Sequence, residues 1–170
     1  LNDTGQVAGP LLAELQGIAA TAFMNQGRLE EALALAGSAL AADAASGGPE
    51  RAWRARNVMA MAGLAYHAPH GRHFEWGPHI RSLEAISDTS GKPFPRALAL
   101  WNRVFLAGLT ERHDRAGAPA RKLLELADRH DNPSMRAMGL VACGRVARWD
   151  GDTPRARDLF QQALGAAEAV

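Results

Sequence analysis

Four prolines constrain this chain more than its composition does. Pro10, Pro49, Pro95 and Pro133 each follow a loop-like stretch (VAG, SGG, GKPF and HDN), and each leads into a segment with helical apolar spacing. Proline is favoured in the first turn of a helix, because the N–H it lacks would be unpaired there and its φ is already helical. The intervals between these prolines are 39, 46 and 38 residues. A recurrence of about 40 residues is what arrays of helical hairpins produce.

The apolar pattern within each unit is helical. Leu11, Leu12, Leu15, Ile18, Ala19, Ala22 and Phe23 follow the three-and-four spacing of one helix face, and Gly27 breaks the run. Leu29, Ala32, Leu33, Ala36, Ala39 and Leu40 then continue it. The last unit repeats this plan, with Met135, Met138, Ala142, Cys143, Val146 and Ala147 before a break at Gly151-Asp152. Ala156, Leu159, Phe160, Ala163 and Leu164 follow, with Thr153 placed to cap the closing helix. Abundant Ala and Leu with few β-branched residues favour helix over sheet. The spacing predicts eight helices in four antiparallel pairs.

The remaining totals exclude whole classes. Nineteen basic and 18 acidic residues give a net charge of +1, so there is no field that would draw a polyanion, and direct nucleic-acid contact is not expected. A single cysteine, Cys143, rules out an internal disulfide and a cysteine-rich zinc site. That usage suits the cytoplasm, the expected location. No apolar run reaches the roughly 18 residues of a membrane span. The chain starts at Leu1 without a basic-then-apolar leader, and we expect a segment of a longer polypeptide.

The stretch GLVACGRVARWDGDTPRARDLFQQAL, Gly139 to Leu164, resembles a tetratricopeptide repeat. Gly144 and Ala147 stand in its first helix, a Gly-Asp turn follows, and Ala156, Phe160 and Ala163 stand in its second. Ala20, Phe23, Gly27, Ala32, Ala36 and Ala39 match in the first unit. The middle units are degenerate, with His70-Gly71 and Arg112-His113-Asp114 at their turns. The long period and the loop style, GKPFPRALALW above all, are similar to the helical-repeat regions of large bacterial ATP-dependent LuxR-type regulators and related ATPase and nucleotide-cyclase proteins. The resemblance implies an all-α fold: a right-handed solenoid of about four helical hairpins, near 10–45, 49–89, 95–130 and 133–169, in one domain over 1–170.

Four of six histidines fall in YHAPHGRHFEWGPH, Tyr66 to His79. Pro69 separates His67 from His70, so no helical face carries an ordered pair, and no Cys or Asp completes a zinc set. A solvated hairpin turn with mixed polar-aromatic packing and without metal is expected, with His67 at its first end. Cys143 lies on an apolar stripe and reads as a small core residue. No phosphate-cradling loop is present, since SGK at 90–92 precedes proline. Neither catalysis nor a cofactor is expected.

Carrying the repeat's inward-facing positions onto this chain gives Glu14, Thr21 and Met24, then Asn57, Leu64 and His67, then Arg103 and Thr110. The last unit adds Met138, Val141, Arg145 and Arg148. Asn57, His67, Arg103, Arg145 and Arg148 are the expected ligand-binding groove, because an arginine's planar fork pairs bidentately with a carboxylate. The implied role is non-catalytic recognition of a peptide, protein segment or small effector within a bacterial regulatory protein. The alternative is a structural module that self-associates through its ends.

Overall fold

The computed structural model describes residues 4–46, 52–67 and 74–168, and among these the secondary structure is helical, with no strand. Eight α-helices follow in order: α1 (Thr4–Asn25), α2 (Leu29–Ser46), α3 (Trp53–His67), α4 (Gly77–Ser90), α5 (Pro93–Leu109), α6 (Gly117–Arg129), α7 (Pro133–Trp149) and α8 (Thr153–Glu168). A 3₁₀ turn, His113–Arg115, precedes α6. The chain divides into two compact units, Leu1–Pro95 and Arg96–Val170, with the boundary in the first turn of α5. Among the described residues no helix is long and apolar enough to cross a membrane.

The prolines behave as expected at two of four positions. Pro133 opens α7, where the Asn132 side chain accepts a hydrogen bond from the Met135 N–H at 2.9 Å. Pro95 sits in the first turn of α5, which Pro93 opens. Pro10, by contrast, does not start a helix: α1 begins at Thr4 and runs through it. The backbone bond forgone there is offset by the packing of the long helix against α2 and α3. Pro49 lies outside the described residues. Thr153 is also displaced from its expected role, being the first residue of α8. The cap is Asp152, whose carboxylate accepts from the Arg155 N–H at 3.1 Å and favourably faces the positive end of the helix dipole.

Four helices end with the same pair of backbone bonds. After α1, the Gly27 N–H donates to Met24 O and the Arg28 N–H to Phe23 O. After α5, Glu111 and Arg112 donate to Gly108 and Ala107. After α6, Asp131 and Asn132 donate to Asp128 and Ala127. After α7, Gly151 and Asp152 donate to Arg148 and Ala147. This Schellman pairing needs a left-handed residue at its pivot. Gly27 (φ 77°) and Gly151 (φ 83°) supply it, and Glu111 (φ 55°) and Asp131 (φ 44°) do so without the freedom of glycine. The third turn thus pivots at Glu111, just before the Arg112-His113-Asp114 triplet that marked it in the sequence.

Small residues carry the packing. In the N-terminal unit, α1 packs on α2, and α3 packs on both. Their shared core is Ala20, Ala32, Ala36, Ala39, Ala55, Val58 and Ala62, ringed by Phe23, Met24, Leu33 and Leu40 among others. The buried face of α1 is therefore Ala13, Gly17 and Ala20, whereas Leu11, Leu12, Leu15 and Ile18 are exposed. Of the apolar stripe read on α1, Phe23 packs against the core while its leucines and Ile18 stay outside, because close approach of three helices selects for the smallest side chains rather than the most apolar.

The C-terminal unit follows the same rule. α7 packs on both α6 and α8, burying Leu123, Ala127, Met135, Ala142, Ala147, Ala156 and Ala163. A Cβ at Gly139 would stand 3.0 Å from Leu124 Cα and 3.1 Å from its backbone N, so α6 and α7 touch backbone to backbone there. Gly37, on α2, faces open space. The two glycines should respond oppositely to alanine. Gly37→Ala should stabilise by about 0.5–1 kcal/mol through helix propensity, and Gly139→Ala should destabilise by about 1–3 kcal/mol through overpacking. Denaturant midpoints of the two variants check this, and a stabilised Gly139→Ala would contradict the contact.

Candidate functional site

The described ends of the histidine-rich stretch build an aromatic stack, and the expected turn between them, residues 68–73, lies outside the described residues. His67 ends α3, Phe74 lies between α3 and α4, and His79 is in the first turn of α4. The His67 and Phe74 rings stack with centroids 5.2 Å apart at 13°, and Phe74 and His79 stack at 5.9 Å and 6°. Tyr66 meets His67 edge-on at 5.1 Å. Gly63 makes room, since a Cβ there would collide with the Phe74 ring. The Nδ1 atoms of His67 and His79 are buried without a hydrogen-bond partner among the described residues. His70 and His73 lie outside the described residues, and no group of three or more His, Cys, Asp or Glu within them is placed to hold a metal ion.

Burial, with a smaller contribution from the Arg56 charge, pushes the His79 imidazole below its ordinary value. A histidine depressed on folding is neutral in the native state and binds its proton more readily when unfolded. Its stacking contribution is therefore present above the unfolded value of about 6.5 and is lost as pH falls through and below it. His79→Phe keeps a flat ring and removes the titration. Thermal melts from about pH 7.5 to pH 5 should show a smaller acid-induced loss of stability for that variant than for the native chain. Identical pH profiles would show that His79 does not carry the effect.

The C-terminal unit holds a more chemically directed feature. Arg145, Arg148, Val141 and Trp149 from α7 and Phe160 from α8 line a depression of about 500 Å³. The Arg145 guanidinium lies 5.7 Å from the Trp101 ring centroid and 5.5 Å from that of Phe105, both on α5. Trp149 is set from two sides. His113 stacks on it at 4.6 Å and 6°, and a Cβ at Gly108 would fall 2.6 Å from its indole. Phe160 is seated the same way, 2.6 Å from where a Cβ of Gly144 would be. Glycines at these two helix positions let the rings approach the neighbouring backbone, a pairing that the sequence reading did not make.

The electrostatics distinguish these arginines from four others. Arg28 pairs with Glu31, Arg54 with Glu14, Arg112 with Asp114 and Arg136 with Asp128. Neither Arg145 nor Arg148 has a hydrogen-bonded or ionic partner among the described residues. A guanidinium held against aromatic faces keeps its in-plane N–H donors for another acceptor. The arrangement suits a carboxylate or other flat anion attached to an apolar body.

The five expected groove residues divide between the units. Asn57 and His67 belong to the N-terminal one, where Asn57 is buried at 7% exposure and His67 is engaged in the aromatic stack. Arg103 is exposed on α5 and does not line the depression, whereas Arg145 and Arg148 line it together. Several other positions are spent on their own helices: the Thr21 hydroxyl donates to Gly17 O at 2.9 Å and that of Thr110 to Leu106 O at 2.8 Å, while Glu14 is paired with Arg54 at 3.3 Å. Cys143 is half-buried, and desolvation pushes its thiol up, as for a packing residue and unlike an activated nucleophile. No protein-family model, curated protein or solved structure matches the chain.

Proposed function

We propose that this chain is a non-catalytic recognition module in which the neighbouring unpaired arginines Arg145 and Arg148 hold the carboxylate of a peptide, protein segment or small effector. The observation that carries the reading is a pair of uncompensated guanidiniums set together in an aromatic-lined depression, whereas Arg28, Arg54, Arg112 and Arg136 are paired with carboxylates. We further propose that the eight helices stack as about four tetratricopeptide-like hairpins in a right-handed solenoid. Its setting would be a cytoplasmic bacterial regulator of the LuxR-type or cyclase-associated kind. The repeated Schellman ends and the alanine-lined contacts support that arrangement, because a stack of hairpins needs the same turn and the same close approach at each step.

Selection of a displayed random-peptide library on the intact chain tests the recognition role. Recovered peptides should be rich in Asp and Glu, or end in a free carboxylate. An Arg145→Glu/Arg148→Glu variant should bind them at least about tenfold more weakly. Peptides retained equally by the variant would overturn the assignment.

A second reading has its own support. Leu11, Leu12, Leu15 and Ile18 form an exposed apolar face on α1, which favours self-association as the module's job. If so, sedimentation velocity should show a concentration-dependent increase in mass that Leu12→Glu/Leu15→Glu abolishes. A monomer at all concentrations would remove this alternative.

A further inference from the structure

We propose that the exposed face shared by α7 and α8 seats an acidic amphipathic helix of a partner protein. This rests on the reading of Arg145 and Arg148 as a carboxylate site and extends it to the shape of what carries the carboxylates. A second depression, of about 330 Å³, adjoins the first and includes Arg148, Ala156, Arg157, Phe160 and Leu164 in its lining. The two share Arg148 and Phe160, so they form one continuous strip across both helices.

The strip has an apolar floor and a basic rim. Ala156, Phe160 and Leu164 recur every four residues and so lie along one face of α8. Leu164 is 66% exposed, a large apolar side chain with little covering it. Arg145, Arg148 and Arg157 border that floor, and Arg157, like the other two, has no ionic partner among the described residues. The complement of such a surface is an apolar stripe flanked by Asp or Glu. A freely solvated acidic tail would leave the floor uncovered, and a purely apolar helix would leave three charges facing it unpaired.

A helix is the shape that fits, for a reason this chain itself shows. In the N-terminal unit α3 packs against α1 and α2 together, so the groove between two packed helices accepts a third. α7 and α8 are likewise packed on each other, and α6 occupies another side of α7. From Ala156 to Leu164 the floor runs about 12 Å at 1.5 Å per residue, two turns of contact for a partner helix before its acidic residues reach Arg145.

The test uses the intact chain and a fluorescently labelled peptide of about 15 residues, long enough to form a helix on binding. Its leucines recur at three- and four-residue spacing with glutamates on either side, and a scrambled peptide of the same composition serves as control. Anisotropy should show the patterned peptide binding at least about tenfold more tightly than the scrambled one, with helicity gained in circular dichroism. Leu164→Asp and Arg157→Glu should each remove most of that advantage, and both positions are exposed enough to leave the fold intact. If the patterned and scrambled peptides bind alike, and Arg145→Glu weakens both, the helix inference fails while the carboxylate site stands. Binding of neither peptide overturns both. If Leu164→Asp instead dissociates a dimer of the chain, a second copy is the occupant and the proposal is wrong.

Discussion

Close approach of helices through alanine and glycine is the constraint on which the rest of this structure depends. Where Ala20, Ala32, Ala36, Ala39 and Ala55 meet, the helices can come near enough for their larger neighbours, Phe23, Leu33 and Leu40, to close the edges of the contact. Gly139 against the Leu124 backbone takes this to its limit. Each alanine contributes little burial by itself, so stability comes from the number of such contacts and from the dispersion gained at high packing density. The consequence is visible on α1, whose leucines are left outside because the inside has no room for them.

The same rule shapes the candidate site. Gly108 and Gly144 do at the level of single side chains what the alanines do for whole helices: they let Trp149 and Phe160 come close to neighbouring elements. Those rings wall the depression, while Trp101 and Phe105 sit beneath the Arg145 guanidinium. A cation held this way costs less entropy to engage than a free arginine, since much of the roughly 2 kcal/mol of rotamer freedom is already spent. The histidine stack in the other unit is built by the same device, with Gly63 admitting Phe74 between two imidazoles. There, however, the polar atoms turn inward and are desolvated, which suits packing better than ligand capture.

The turns explain why the middle of the chain looked irregular as a repeat. Glu111 and Asp131 adopt the left-handed conformation that Gly27 and Gly151 adopt at the ends of α1 and α7. A non-glycine residue there costs about 1–2 kcal/mol, and nothing in the residue type announces it. The backbone bonds are nonetheless the same four times over. The sequence pattern degenerates where the conformation does not, because a hydrogen-bonded helix end can hold a strained residue that the isolated turn would avoid.

Helix content, the places where helices break and the absence of any strand-forming pattern were all legible from residue order, because propensity and three-and-four spacing act locally. The spacing of Arg145 and Arg148 also puts them on adjacent turns of one helix, and the two line one depression. Which face of each helix is buried was a different matter. Apolar periodicity named Leu11, Leu15 and Ile18 on α1, yet burial there fell on Ala13 and Ala20; on α8 it named Ala156, Ala163 and Leu164 alike, and only the two alanines are buried. Burial depends on how near the neighbouring helix comes, and that distance is a property of the pair. For the same reason only the tertiary structure could bury Asn57, draw His67 and His79 into a stack around Phe74, and separate the arginines that have carboxylate partners from those, Arg145 and Arg148 among them, that do not.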